Sequence, residues 1–367
     1  MKRTFLYALL MFVSITKAQT VKLIVGTYTN SCDSNGIYVF DFNTNDAQLK
    51  LVFKSDATIN PSYVALSPDN QFLYSVNENG NESKVSAFYF NKGNGDIDFL
   101  GSQDAKGADP CYILNDDKNV IVANYSGGSI SVFKKNKFGA LNEAKQVIKL
   151  EGRGPNTQRQ ESAHLHMVQF SPDNKYVLAN DLGSDKMYVY GYNADSENNV
   201  LQLKNTVSIK AGSGPRHLTF SPDGKFVYLL QELDGTLTVY AYADGTLTMM
   251  EEKSVVASGF KGKTSAADIH IAPGGKFLYA TNRGDANDIS VFAIKKDGTL
   301  DFVQRLKTMG QGPRNFAIDP TGKYLLVGHQ YTNNIVIFDI DKTSGKLTFS
   351  GKMIPLCAPV CLLFAGN

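Results

Sequence analysis

The sequence contains no tryptophan, only four cysteines and only five histidines among its 367 residues. The cysteines are Cys32, Cys111, Cys357 and Cys361, and their spacing is not that of a zinc ribbon or a zinc finger. We therefore interpret them as small buried residues with room for one disulfide. Four cysteines allow three pairings, and the sequence does not choose among them.

An excess of either charge is also missing. The chain has 37 Lys and Arg residues against 35 Asp and Glu residues, a net charge of +2. Without the first 19 residues, 34 basic residues face 35 acidic ones. This balance argues against a nucleic-acid partner and against binding to a charged membrane surface. We expect a soluble globular protein that is a monomer or a weak dimer.

The beginning of the chain differs from the rest. An apolar run follows Lys2 and Arg3, ends at Ile15 and precedes Ala18, a suitable cleavage position. This pattern predicts a secretory signal peptide over residues 1–19, too short to serve as a membrane anchor, and hence export to the periplasm or the medium. No cysteine follows the cleavage region, so we expect no lipid anchor. A buried N-terminal strand is the alternative.

Long apolar stripes with a 3.6-residue period are absent, which argues against a helix bundle or an α/β fold. In their place, 40 Tyr and Phe residues and 32 Gly residues favour many short strands and turns. One such segment, "GPRHLTFSPDGKFVYLLQE", spans residues 214–232 and recurs with variations along the chain. Its other copies span residues 60–78, 163–181, 266–284 and 312–330, and a degenerate copy spans residues 109–127.

The repeat has a period of roughly 50 residues, which is typical of four-stranded propeller blades. The six internal copies account for six blades, and the two ends of the chain supply the strands of a seventh. The segment "APVCLLFAGN" (358–367) resembles a first strand, and "VKLIVGTYTN" (21–30) and "GIYVFDF" (36–42) resemble the second and third strands. We predict an all-β, seven-bladed β-propeller with four antiparallel strands per blade. It forms a single domain over residues 20–367, with one blade closed by the N- and C-terminal strands.

Scarce polar residues concentrate where first strands begin and second strands end. Because the first strand of a propeller blade is innermost, these positions are expected to meet at one mouth of the central channel. The predicted group is His164, His166, Asp181, Arg216, Glu232, Asp268, His270, Arg283, Arg314 and Gln330. Several ionisable groups around one concave pocket are typical of a functional site. The alternative is that they only hydrogen-bond neighbouring blades or channel water.

A long loop at residues 152–166 carries Arg153 and Arg159, and it is predicted either to cover the mouth or to be solvated in its first half. His164 and His166 suggest an acid/base pair, a metal site or packing. We favour a role with an anionic ligand and no metal, because arginines at the same mouth repel a cation. The G-x-G-P stretches lead into strands and not into helices, which argues against a phosphate-binding loop.

The segments "RQESAHLH", "GPRHLTFSPDGKFVYLLQEL", "IHIAPGGKFLYATNRG" and "GPRNFAIDPTGKYLLVGHQ" resemble the seven-bladed propeller lactonase family. This family includes the propeller-type 6-phosphogluconolactonase and the fungal carboxymuconate cyclase, and the similarity covers about residues 21–367. It implies hydrolysis of a small-molecule anionic lactone, or the reverse closure, without a metal ion or another cofactor. The contact residues that it implies are His164, His166, Arg216, His217, Glu232, Arg283, Arg314 and Gln330.

Under this hypothesis, Arg216 and Arg283 hold an anionic substituent and stabilise the lactone oxyanion. His166 or Glu232 accepts a proton from the attacking water and returns one to the leaving ring oxygen. Whether the anionic group is a phosphate or a carboxylate is left open. The alternatives are an exported, non-enzymatic binding or scaffold propeller and a metal-dependent sugar lactonase of the same architecture.

Overall fold

A computed structural model describes residues 20–366. The predicted signal peptide (residues 1–19) lies outside the described residues. Within them, 28 strands form seven four-stranded antiparallel sheets, and the one helical element is a short 3₁₀ turn at Gly80–Glu82. No helix in this range has the length and apolar character needed to cross a membrane. The predicted seven-bladed propeller is therefore confirmed.

We number the blades from the one that contains the N-terminal strand. Blade 1 consists of β1 (Thr20–Thr27), β2 (Ile37–Asn43), β3 (Leu49–Lys54) and the last strand, β28 (Pro359–Phe364). Blade 2 consists of β4 (Val64–Leu66), β5 (Phe72–Asn77), β6 (Lys84–Phe90) and β7 (Ile97–Asp104). Blade 3 consists of β8 (Pro110–Asn115), β9 (Asn119–Asn124), β10 (Ser129–Lys135) and β11 (Leu141–Lys149).

The other four blades follow in the same order. Blade 4 consists of β12 (Leu165–Phe170), β13 (Tyr176–Asp181), β14 (Lys186–Tyr192) and β15 (Leu201–Ser208). Blade 5 consists of β16 (Pro215–Phe220), β17 (Phe226–Gln231), β18 (Thr236–Ala243) and β19 (Thr246–Ser254). Blade 6 consists of β20 (Ala266–Ile271), β21 (Phe277–Asn282), β22 (Asp288–Ile294) and β23 (Leu300–Lys307), and blade 7 of β24 (Pro313–Ile318), β25 (Tyr324–His329), β26 (Asn334–Ile340) and β27 (Leu347–Pro355).

Tight turns join the first two strands of the repeated units, and the "SPDN/SPDG" segments form them. In blade 2, the Ser67 hydroxyl donates to Asp69 Oδ1 (2.6 Å) and accepts the backbone N–H of Phe72 (2.9 Å). The next residue, Asn70, has a φ of +56°, in the left-handed region that Asn and Gly tolerate best. Gly224 has a φ of +71° at the equivalent position of blade 5. This turn chemistry explains why the segment recurs in the sequence.

The core lies between the blades. Each of six clusters of buried apolar side chains joins adjacent blades, and together they run around the whole ring. Second and third strands supply most of this core, as in β17, where Val227 to Leu230 are fully buried. Outer strands such as β19 are largely exposed. Burial of apolar sheet faces between neighbouring blades stabilises the ring, because each sheet alone is too small to be stable.

The predicted split blade is also confirmed. Strand β28 pairs antiparallel with β1, with Leu362 opposite Val25, so the two ends of the chain share one sheet. A disulfide between Cys32 and Cys357 joins the loop after β1 to the segment before β28. Cys111 and Cys361 are free and buried. Blade 1 is therefore closed by backbone hydrogen bonds and by one covalent bond.

We expect the Cys32→Ser/Cys357→Ser double variant to lose about 2–4 kcal/mol of unfolding free energy, because the bridge joins residues 325 positions apart and restricts the unfolded chain. Denaturant unfolding of the mature chain measures this loss. A reductant is expected to destabilise the wild-type protein by a similar amount and to leave the double variant unchanged. Equal stability of oxidised wild type and double variant would show that strand pairing alone closes the ring.

Candidate active site

Seven equivalent backbone hydrogen bonds define one mouth of the channel. In each blade, the residue after the second strand donates its N–H to a carbonyl oxygen just before the first strand, as from Glu232 to Gly214 (2.7 Å) and from Arg283 to Ser265 (3.0 Å). These seven residues, the rim ring, are Tyr28, Glu78, Tyr125, Leu182, Glu232, Arg283 and Gln330 in the order of the blades. The fold thus presents seven side chains of five kinds at equivalent places.

A second ring arises from an irregularity in the first strands. In six blades the pairing of the first and second strands shifts near the start of the first strand, and in five of these blades the shift leaves a single first-strand residue unpaired. These bulge residues are Cys111, His166, Arg216, Arg314 and Val360. A β-bulge re-aims a side chain that the ladder would otherwise fix. Because the first strand is innermost, the bulges face the channel.

The two rings enclose a cavity of about 320 Å³. It is lined by Tyr28, Glu78, Asp109, Cys111, Tyr125, Ser126, Arg159, His166, Glu232, Arg283 and Arg314. Five of the predicted site residues, namely Arg159, His166, Glu232, Arg283 and Arg314, are therefore brought together at one mouth. Arg216 lies beneath this cavity, where it lines a smaller space together with His217 and Arg314.

The carboxylate of Glu232 is the centre of the cluster, and its side chain is only 3% exposed. Its Oε1 accepts a hydrogen bond from Arg159 Nη2 (2.7 Å). Its Oε2 lies 2.9 Å from Arg216 Nε and 3.1 Å from Arg283 Nη2. Both carboxylate oxygens are thus engaged by arginines from three different parts of the chain.

These contacts decide the charge of Glu232. Burial alone would raise the pKa of its carboxyl group, but Arg283, Arg216 and Arg159 together lower that pKa to about 2. Glu232 is consequently ionised throughout the physiological pH range and is a weak proton acceptor. Its carboxylate holds three guanidinium groups close together, which their mutual repulsion would otherwise oppose.

His166 lies beside this cluster and is buried. Its Nε2 is 4.0 Å from Glu232 Oε2, and its ring packs edge-on against Tyr125 and His217 at centroid distances of 5.5 and 5.3 Å. Burial, followed by the charges of Arg216 and the neighbouring groups, holds the pKa of His166 well below its usual value. His166 is therefore a neutral imidazole that has little tendency to accept a proton.

Sequence reasoning missed the opposite wall of the cavity. Tyr28 donates its phenol hydroxyl to both carboxylate oxygens of Glu78 (3.1 and 3.0 Å), and the Ser62 hydroxyl also donates to this carboxylate. The guanidinium of Arg314 lies 5.3 Å from the centre of the Tyr28 ring. The repeat contained a signal for Glu78, since "YSVNE" (74–78) ends as "YLLQE" (228–232) does. The predicted group rests mainly on histidines and arginines and does not include this second glutamate.

Three predicted residues form a deeper layer of the channel instead of lining the mouth cavity. Asp268 accepts hydrogen bonds from the imidazoles of His217 (2.8 Å) and His270 (2.9 Å) and from the side-chain amide of Asn315 (2.6 Å). Burial lowers the pKa of His217 to about 4, whereas Asp268 raises the pKa of His270 against the effect of burial. These residues join blades 5, 6 and 7 below the mouth.

The long loop reaches the site with its second half only. Arg153 is exposed, whereas Arg159 extends to Glu232 and also donates to the Tyr125 hydroxyl (3.2 Å). His164 lies just outside the cavity, with its ring stacked on Tyr125 at 4.4 Å. Asp181 anchors this region by accepting the backbone N–H of His164 (2.7 Å).

Gln330 belongs to the rim ring through its backbone, but its side chain does not line the cavity. Asp181, His164 and Gln330 are therefore part of the framework around the mouth.

A larger cavity, of about 680 Å³, lies on the outside of the ring between blades 1 and 2. Its charged lining residues, such as Lys54 and Glu82, are exposed to solvent. The mouth cavity is smaller but contains buried and strongly perturbed ionisable groups, which is where catalytic chemistry is expected. We therefore assign the candidate active site to the mouth cavity.

Comparison with known proteins agrees with this fold. The family model "Lactonase, 7-bladed beta-propeller" matches residues 22–364. The chain belongs to this lactonase family. A protein from Formosa agariphila named 6-phosphogluconolactonase is 39% identical over 332 residues, which cover 89% of this chain and 94% of that protein. A Bacillus subtilis protein of the same name is 34% identical over 345 residues, covering 93% and 97% of the two chains.

A solved structure is also similar. The periplasmic gluconolactonase of Pseudomonas aeruginosa superposes with a TM-score of 0.90 at 34% identity, covering 95% of this chain and 99% of that one. The resemblance inferred from the repeat motifs is thereby confirmed. The chain is a hydrolase of the lactonase type, similar to 6-phosphogluconolactonases.

In this lactonase, replacing Glu232 by Gln is expected to lower the unfolding free energy by about 3–5 kcal/mol, because the buried guanidinium groups of Arg216 and Arg283 and the half-buried one of Arg159 lose their counter-charge. The wild-type carboxyl group has a lowered pKa in the folded state. Its stabilisation is therefore complete above the ordinary pKa of about 4.5 and is lost as the pH falls toward about 2. Denaturant unfolding between pH 7 and pH 2 measures both effects.

The matched control is Glu143→Gln, which changes an exposed carboxylate on β11 and should leave stability unaltered. The difference between wild type and Glu232→Gln should shrink as the pH approaches 2. A constant difference across this range would contradict the assigned charge of Glu232.

Proposed function

We propose that this lactonase hydrolyses an anionic sugar-type lactone in the mouth cavity and that the reaction requires no metal ion. The observation that carries the proposal is that three arginines, Arg159, Arg283 and Arg314, line one small cavity at the channel mouth. A fourth, Arg216, lies directly beneath it. Guanidinium groups bind carboxylates and phosphates through paired, charge-assisted hydrogen bonds. The names of the relatives, 6-phosphogluconolactonase and gluconolactonase, agree with a sugar lactone as substrate.

Lactone hydrolysis requires stabilisation of the negative charge that develops on the carbonyl oxygen. Arg283 lines the cavity and is fixed by Glu232, so it is available as a preorganised donor for this oxyanion. Neutral His166 is a second donor on the same wall, because an imidazole with a lowered pKa offers an N–H without carrying a charge. Arg159 and Arg314 then remain to bind the anionic substituent.

Arg216 and Glu232 have supporting roles in this proposal. The Arg216 side chain is 2% exposed, and its Nη1 donates to the carbonyl oxygen of Ala267 below the cavity. It holds Glu232 from beneath, and Glu232 holds Arg283 and Arg159 at the cavity wall. The substrate therefore contacts the outer arginines, while Arg216 is a positioning residue.

We further propose that the chain is exported. The basic and apolar residues at its beginning support this, as does the Cys32–Cys357 disulfide, since disulfides persist in oxidising compartments. The similar protein from Pseudomonas aeruginosa is described as periplasmic. An exported enzyme would meet lactones outside the cytoplasm.

The proposal is tested with the mature chain, residues 20–367, on glucono-δ-lactone, its 6-phosphate, a carboxylated muconolactone and neutral γ-butyrolactone. Acid release is followed with and without a chelator. We expect chelator-insensitive turnover, with higher kcat/KM for a sugar lactone that carries an anionic group than for the neutral lactone. The same panel distinguishes phosphate from carboxylate as that group.

Arg283→Ala is expected to lower kcat/KM by about 10²-fold or more if Arg283 stabilises the oxyanion. Arg153→Ala serves as the control, because Arg153 lies in the solvated half of the loop, and it should have no effect. Loss of turnover on chelation would favour a metal-dependent reaction. Absence of turnover with every lactone would favour a binding role.

A further inference from the structure

The cavity contains a second glutamate, Glu78, that no step has yet used. Glu78 and Glu232 occupy equivalent places in the rim ring, since both follow a second strand and make the same backbone hydrogen bond. Their surroundings differ. Three arginines engage Glu232, whereas hydroxyl groups engage Glu78, namely those of Tyr28 and Ser62. Two carboxyl groups in contrasting environments often divide the catalytic roles between them.

Glu78 lies across the mouth from the arginine wall. It belongs to blade 2, whereas Glu232 and Arg283 belong to blades 5 and 6, each three blades away around a ring of seven. All three residues line the same cavity. A lactone whose carbonyl oxygen is bound by Arg283 can therefore turn one face of its carbonyl carbon toward Glu78. A water molecule between them would be placed for attack.

Glu78 is held in a defined orientation. The Tyr28 hydroxyl bridges both carboxylate oxygens, and the Asn60 side-chain amide donates to the backbone carbonyl of Glu78 (2.9 Å). The charged and titratable groups that face the carboxyl group are Tyr28 after β1, Asp109 before β8, Cys111 on β8 and Arg314 on β24. Burial is the largest influence and raises the pKa of Glu78, although Arg314 and the two hydroxyl groups oppose this rise.

We propose that Glu78 is the general base that activates the attacking water and that Tyr28 is its positioning residue. This inference rests on the geometry above and on the proposed lactone hydrolysis. The Glu78 carboxylate takes a proton from water while the water oxygen bonds to the carbonyl carbon. The carbonyl oxygen becomes an oxyanion at the arginine wall. When it collapses, the bond between the carbonyl carbon and the ring oxygen breaks, and Glu78 returns its proton to that oxygen. The new carboxylic acid then releases one proton to solvent.

The alternatives for this role are weaker. Glu232 has a pKa near 2 and is bound by three arginines, so its carboxylate has little basicity and no free oxygen. His166 would have to gain a positive charge close to Arg216. A base is more effective when its pKa lies closer to the working pH. The raised pKa of Glu78 moves toward this condition, whereas the lowered pKa values of Glu232 and His166 move away from it.

The test compares kcat and KM of wild type, Glu78→Gln, Glu78→Asp and Glu82→Gln between pH 4 and pH 9 on the best lactone of the panel. Glu78→Gln should lose about 10²-fold or more in kcat with little change in KM. Wild-type activity should fall at acidic pH as Glu78 becomes protonated, and this decline should persist in Glu78→Asp and disappear from the residual activity of Glu78→Gln. Glu82 is exposed in the nearby 3₁₀ turn and serves as the unchanged control.

Tyr28→Phe separates positioning from a structural role. Losing the phenol hydrogen bond should raise the pKa of Glu78, so the acidic decline should move to higher pH while activity at alkaline pH is largely retained. If the wild-type enzyme hydrolyses a lactone and Glu78→Gln keeps both the kcat and the acidic decline of the wild type, the role of Glu78 is overturned. The proposed function is then unaffected. No wild-type turnover with any lactone would overturn the proposed function and the inference together.

Discussion

The whole site depends on closure of the ring. No single blade contains it, because the cavity is lined by residues from blades 1 to 7 and its two glutamates are three blades apart. Pairing of β28 with β1 joins the first and last described strands in one sheet. Without it, blades 1 and 7 would separate, and Tyr28 would no longer be held near Glu78. The separation of Glu78 and Glu232 is thus set by their places in the ring.

Within the closed ring, the charges are arranged in two halves. Arginines anchored on Glu232 form one wall, and a carboxylate held by hydroxyl groups forms the other. The first wall suits an anion or an oxyanion, whereas the second suits a group that exchanges a proton. Under the proposed mechanism, this separation lets one wall stabilise negative charge while the other accepts a proton. Burial makes both effects stronger than they would be in water.

Much of this could be predicted from the sequence, because the fold repeats. The turn segments from Ser67 and Ser221 recur at blade spacing, and the termini supply the missing strands of blade 1. The convergence of His166, Glu232 and Arg283 at one mouth also follows from their equivalent positions. The depth of each side chain within the channel could not be predicted from the sequence in the same way. Regular strand alternation places residues two apart on one face, but a bulge at the first strand interrupts that alternation.

His164 precedes the first strand of blade 4, whereas His166 is the bulge residue of that strand, which explains why the two histidines have different surroundings. Glu78, Tyr28 and Tyr125 were missed for another reason. Tyrosine is abundant in this chain, with 18 residues, so its placement in the rim ring does not stand out as that of five histidines does. The alignment of the repeats, read position by position, would have found Glu78.

The bulges also bear on how such a site can diversify. A residue that takes no part in the ladder can be exchanged with little effect on the strand pairing around it. The bulge position accordingly holds valine, cysteine, histidine and arginine within this one molecule, at Val360, Cys111, His166 and Arg216, while the surrounding pairing stays alike. Chemistry and folding are therefore encoded at largely separate positions. A propeller of this kind is free to acquire a new specificity by substitution at the bulges, with its architecture inherited intact.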